Sequence, residues 1–225
     1  MNQNRLDQSS PHLGNYLASR WLSRALGISF LTTVLAVVHL PNSEAAQDIF
    51  QAASSGNIEQ LQHLVIGGSD VNQIGANKET PLTTAALAGQ VAVVNYLLQR
   101  GATANGVNAN GLTPLHAAAY AGHDQVANLL LSKGADVNNN GNRFGVTPLH
   151  MAAEENHQDV ARVLLKGGAD PGALEVNGYS PVSRAGWREH WEVVTLLLSQ
   201  GGTCQDAEKV GDWLYEECSK RVITN

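Results

Sequence analysis

Four stretches of the chain repeat one arrangement of apolar and polar positions. Each opens with a hydroxyl residue before proline, at Thr80-Pro81, Thr113-Pro114, Thr147-Pro148 and Ser180-Pro181, with offsets of 33, 34 and 33 residues. A small-residue pair follows: Ala85-Ala86, Ala118-Ala119, Ala152-Ala153 and the altered Ala185-Gly186. Next comes an aliphatic run, "VVNYLL", "VANLLL", "VARVLL" or "VVTLLL", and a turn with Gly101, Gly134, Gly168 or Gly201. Apolar residues at i, i+3 and i+4 in the runs predict a helix with one buried stripe. The hydroxyl residue caps a preceding helix whose first position tolerates proline, and the glycine suits the left-handed backbone that stops the second. Each unit is therefore predicted to be a helical hairpin. One hairpin cannot bury its own stripe, so the units must stack.

An earlier segment, "IFQAASSGNIEQLQHLVIGGSDVN", lacks the Thr-Pro start but keeps the rest, its Ala52-Ala53 lying 66 residues (two periods) before Ala118-Ala119. With this period, "TPLH" and "GADVN", the chain resembles the ankyrin repeat from about residue 46 to about 205. The resemblance implies an all-α solenoid of stacked helix-turn-helix units with β-hairpin-like finger loops. The expected units are an N-terminal cap at 46–76, repeats at 77–109, 110–142, 143–176 and 177–205, and a C-terminal capping helix at 206–225. In that last segment Val210, Trp213, Leu214 and Cys218 fall at helical spacing. Three departures stand out. Thr83 and Ser183 replace the motif histidine, the connection "NNNGNRFG" is one residue longer, and Gly186 replaces alanine. The last change is expected to weaken its helix by roughly 1 kcal/mol.

The start of the chain has a different composition. Arg5, Arg20 and Arg24 face one acid, Asp7, ahead of "ALGISFLTTVLAVVHL" at residues 25–40, which carries no Asp, Glu, Lys or Arg. Ser43 and Ala45 then offer a small-x-small site before Ala46. A basic lead, a short apolar run and such a site predict a secretory signal peptide over residues 1–45, and no twin-arginine pair is present. The alternative is an uncleaved membrane anchor formed by residues 25–40. Export implies a periplasmic or secreted protein, and the chain is similar to small exported ankyrin proteins of bacteria. Cys204 and Cys218 are the two cysteines, and the sequence leaves open a disulfide or two buried free thiols.

Charge and motifs narrow the chemistry. The net charge of −6 argues against a nucleic-acid binder, which needs a basic face. There is no Walker-type loop, GxGxxG or Cys-x-x-Cys. His116 and His150 fill the fourth place of "TPLH", and His123, His157 and His190 stand at the turn between paired helices. A seven-residue histidine spacing invites a metal-site reading, but the repeat itself explains it; the resemblance implies structural roles. Neither Cys204 nor the adjacent Glu154 and Glu155 has the partners or separation of a catalytic set. The expectation is a non-enzymatic monomer with no cofactor, no metal, no catalytic residue and no small-molecule substrate. A metal- or thiol-dependent activity is the weakest alternative.

The resemblance also implies where a protein partner binds: a concave face built from the finger tips and the exposed side of each first helix. Aligning the units gives the candidates Leu112 and Tyr120 in repeat two, and Arg143, Phe144, Val146, Glu154 and Glu155 in repeat three. Repeat four adds Tyr179, Trp187 and Arg188. Four of these are aromatic in a chain that is only 5% aromatic, which points to a contact surface at the C-terminal half. The functional expectation is an interaction scaffold of the cell envelope; the alternative is a secreted effector that binds a host protein. A membrane partner is expected only if residues 25–40 stay in place.

Overall fold

A computed structural model describes residues 43–222, which contain twelve helices and no strand. Residues 1–42, which hold most of the expected signal segment, lie outside the described residues. The first hairpin is α1 (Ser43–Ser55) and α2 (Ile58–Ile66). It is followed by α3 (Pro81–Leu87) with α4 (Val91–Gln99), and α5 (Pro114–Ala121) with α6 (Asp124–Ser132). Then come α7 (Pro148–Glu154) with α8 (Gln158–Lys166), and α9 (Pro181–Trp187) with α10 (Trp191–Ser199). Helix α1 begins three residues ahead of the expected cleavage point, so that boundary falls inside a helix.

The first helices start as their sequences dictate. The side chains of Thr80, Thr113, Thr147 and Ser180 each accept from the backbone N–H three residues on, and proline occupies the first turn. In α5 and α7 the bond is reciprocal, because His116 and His150 return a ring nitrogen to the cap backbone. Helices α1, α3, α5, α7 and α9 stack in one layer and α2, α4, α6, α8 and α10 in a second. The paired alanines are fully buried between first helices, where only a methyl group separates the backbones. Leu61, Leu97, Leu130, Leu164 and Leu197 fill the seam between the layers. The finger loops form hairpin-like turns joined by single backbone bonds, from Ala109 N–H to the Asn77 carbonyl and from Val176 N–H to that of Phe144.

The C-terminal segment differs from the single helix expected. It is two helices, α11 (Ala207–Val210) and α12 (Asp212–Val222), broken at Gly211, whose φ of 87° is left-handed. Val210, Leu214 and Cys218 are buried as their spacing implied, but Trp213 is 52% exposed. A disulfide joins Cys204 to Cys218, which resolves the two alternatives.

Candidate partner-binding face

Two sets of side chains lock each repeat to the next and thereby fix the inner face. On the side of the second helices, Asn72, Asn105 and Asn138 each place one carboxamide across a joint. The Nδ2 groups donate to the carbonyls of Gly101, Gly134 and Gly168, at 3.1, 3.1 and 3.0 Å. Their Oδ1 atoms accept from the N–H of Thr103, Asp136 and Asp170, at 2.9, 2.8 and 2.8 Å. At the turns, the Gln90 Nε2 group and the Nε2 atoms of His123, His157 and His190 bond to the carbonyls of Ser54, Leu87, Tyr120 and Glu154 in the preceding first helix.

The "TPLH" histidines join fingers to helices. Thr113 N–H donates to His116 Nδ1 at 3.2 Å, so the proton sits on Nε2, which donates to the Val146 carbonyl at 3.0 Å. His150 repeats this with Thr147 and the Tyr179 carbonyl. Burial holds both imidazoles below their ordinary range against the opposing carbonyl bond, and His150 is lowered to about 4, with the Arg184 guanidinium acting in the same direction. Both ring nitrogens are thus committed to the scaffold, and no three metal-ligating side chains group together among the described residues.

The inner face itself has two unlike halves. Toward the N-terminus, Leu87, Leu112, Ala117, Tyr120 and Met151 line an open hollow of about 470 Å³ with a polar floor at Thr83, Thr84 and His116. Tyr120 stands 53% exposed on its wall. Toward the C-terminus the candidates are engaged with one another. Tyr179 and Trp187 meet edge to face at 4.3 Å, and Lys209 sits 4.6 Å over the Tyr179 ring. Glu154 accepts from Arg184 at 2.8 Å and from Arg188 at 3.0 Å, so both carboxylate oxygens are taken. Arg184 also faces the buried Glu175 at 3.7 Å. Arg143 lies over the half-exposed ring of Phe144, and Glu155 is exposed.

One candidate must be withdrawn. Val146 was expected on the surface, but it is 7% exposed and its backbone accepts from His116 and Asn142. Glu79, Leu112 and Tyr179 at the same finger position are part-exposed, but at Val146 the carboxamide of Asn142, itself buried, bonds both the N–H and the carbonyl and holds the residue in. Sequence reasoning also passed over Met151. Its register shared with Thr84, Ala117 and Arg184, one place after the "TPLH" histidine position, was the available signal.

A family profile described as ankyrin repeats (3 copies) matches residues 49–141 and 138–208. The chain is an ankyrin repeat protein. Ankyrin repeats are protein–protein interaction modules and in general non-enzymatic scaffolds. No curated protein matches the chain. Within this chain the geometry that repeats belongs to the joints. Individuality lies in the hollow beside Tyr120, the Glu154–Arg184–Arg188 cluster and the aromatic pair at repeat four. No helix of the described residues is long and apolar enough to cross a membrane.

Proposed function

We propose that this ankyrin protein is an exported, envelope-resident scaffold that holds one protein partner on its inner face. The observation that carries the reading is the open apolar hollow walled by Leu87, Leu112, Tyr120 and Met151. It offers a large apolar side chain of a partner a desolvated seat, the kind of contact that dominates interface energetics. Trp187, Tyr179 and Phe144 extend that surface toward the C-terminus, with Arg143, Arg188, Glu154 and Glu155 as a charged rim. The basic lead and apolar run at residues 5–40 support export, as does a disulfide, which persists in oxidising compartments.

Two baits test the reading: the chain from Ala46 onward, and the same chain carrying Leu112→Ser and Tyr120→Ala, with folding checked by circular dichroism. A protein captured from the native envelope fraction by the first bait and lost with the second supports it. Equal capture by both removes the hollow as the binding site. Fractionation of the producing cells separates residence from secretion: an effector appears in the medium, an envelope scaffold with the periplasm.

A further inference from the structure

The solenoid's last joint opens onto Cys204. Gly172 stands where the other joints carry Asn72, Asn105 and Asn138, so no carboxamide crosses to Gly201 and Thr203. The space left is a cleft of about 590 Å³ whose rim includes Gly172, Leu174, Thr203, Cys204, Asp206 and Lys209. The partner of Cys204 lies on the other side. Cys218 is buried against Val182, Val194 and Leu214, beneath the end of the stack. The two cysteines of one disulfide therefore stand in different surroundings, Cys204 part-exposed on the cleft rim and Cys218 enclosed.

The same disulfide anchors everything that covers repeat four. Leu214 of α12 packs so closely on Gly186 that a Cβ there would stand 2.4 Å from its Cδ1. Gln205, next to Cys204, accepts from Ser183 Oγ and Ser180 N–H and donates to the Gly178 carbonyl at 2.7 Å, taking the place of the missing motif histidine. Lys209 donates to the Asn177 carbonyl at 2.5 Å and covers the Tyr179 ring. Among the described residues the strap, 206–222, is tied covalently to repeat four only by its own peptide link and by this disulfide.

We propose that Cys204–Cys218 is a reducible clasp: a dithiol enters the cleft, attacks Cys204 Sγ, and releases the strap from the aromatic end of the inner face. The attacking thiolate forms a mixed disulfide with Cys204 while the protein S–S bond breaks, and Cys218 leaves as a thiolate that takes up a proton. The second thiol of the reductant then attacks its own mixed-disulfide sulfur, freeing Cys204 as a thiol. Two electrons and two protons have passed from the dithiol, now an internal disulfide, to the protein. Lys209 on the cleft rim favours approach of the thiolate, with Asp206 on the same rim working against it. Only the statement of what is uncovered, the Tyr179–Trp187 pair, rests on the proposed function. The opening itself is read without any partner, so the two ideas fail separately.

The test uses the full chain. Brief exposure to glutathione, followed by acid quench and peptide mapping, is expected to place the adduct on Cys204; an adduct on Cys218 overturns the route. Dithiothreitol in native buffer is expected to release two thiols per chain and to speed amide exchange over 206–222 by about tenfold or more, leaving α3 to α8 unchanged. Reoxidation should restore protection. Thiols that appear only in denaturant, or reduction with unchanged exchange, overturn the clasp. A Cys204→Ser, Cys218→Ser chain should exchange like the reduced protein without reductant; if it fails to fold, the reversible cycle on the unaltered chain still decides.

Discussion

Between repeats two and three, Asn138 reaches forward to Gly168 and Asp170, His116 bonds the Val146 carbonyl, and Ala118 and Ala119 meet their neighbours backbone to backbone. At the C-terminal end the same positions hold Gly172 in repeat three and Ser183 and Gly186 in repeat four. The stack does not come apart there because a different set of atoms closes it: Gln205, Leu214, Lys209 and the disulfide. Joints between repeats are thus held mostly by repeated, mutually interchangeable contacts, and the joint of repeat four with the C-terminal helices by contacts found once. In a solenoid, where stability is close to a sum over units and nearest-neighbour interfaces, that difference makes the C-terminal end separately breakable.

The largest expected effect comes from the joint between repeats three and four, where His150 keeps the motif contact that Ser183 cannot make at the next. His150→Ala leaves the Thr147 N–H and the Tyr179 carbonyl without their partner in a buried site and should destabilise by about 2–4 kcal/mol. The same residue sets a pH response. Unfolded histidine binds a proton near its ordinary 6.5, whereas folded His150 does so only near 4. Its contribution is therefore complete above pH 6.5, declines as pH falls through that window, and levels off below about 4. The loss is of order 3 kcal/mol in total. Urea titrations at pH 7.5 and 4.5 should show the variant losing less on acidification than the unaltered chain. Equal losses would mean that His150 is not held neutral by the fold.

Gly186→Ala sharpens the comparison by reversing a rule. Alanine at this register is what the other repeats use, and in an isolated helix it would add about 1 kcal/mol. Here the added methyl meets Leu214, and displacing that buried side chain should turn the gain into a net loss of about 1–2 kcal/mol. Hydrogen exchange should place the loss in α9 to α12. A stabilised variant would show that Leu214 moves freely and that α12 is not a fitted cap.

Gly186 also shows what a repeat sequence makes legible. Period, capping and the alanine pairs defined five hairpins, because each of those signals is local and recurs. Gly186 and Ser183 looked like decay, because only a neighbour far along the chain explains them: Leu214 is 28 residues on and Gln205 is 22. Val146 differs from the surface residues it aligns with because Asn142 bonds its carbonyl as well as its N–H, a contact that the register alone does not reveal. Leu112 and Tyr120 were readable because the regular register placed them. The break at Gly211 was not, as a helical spacing of apolar residues survives a kink between two helices.

Gly172→Asn should give the joint between repeats three and four the carboxamide that the earlier joints carry. The backbone is ready for it: Gly172 N–H donates to Asp170 Oδ1 at 2.8 Å, as Asn72 N–H does to Asp70, and its φ is not left-handed. Two exposed amide bonds, to Gly201 and Thr203, should add about 1 kcal/mol. Asn138→Gly should remove a similar amount from the joint before it. Thermal melts of the pair test the symmetry, and a Gly172→Asn chain no more stable than its parent would show that the carboxamide adds nothing at this joint.

The smallest effect distinguishes the turns. The residue before each second-helix cap is left-handed in every hairpin: Gly56, Gly89 and Gly122 early in the stack, then Asn156 at φ 61° and Glu189 at φ 60°. Asparagine enters this region readily, but glutamate does so only against its Cβ. Glu189 makes no ion pair among the described residues and its side chain is exposed, so nothing in its surroundings offsets that strain. Glu189→Gly relieves it and loses part of the gain to the greater freedom of an unfolded glycine, leaving roughly 0.5–1 kcal/mol of stabilisation. Asn156→Gly should change stability by less than half as much. If the two substitutions act equally, the strain is not specific to glutamate, and repeat four differs from its neighbours only in what caps it.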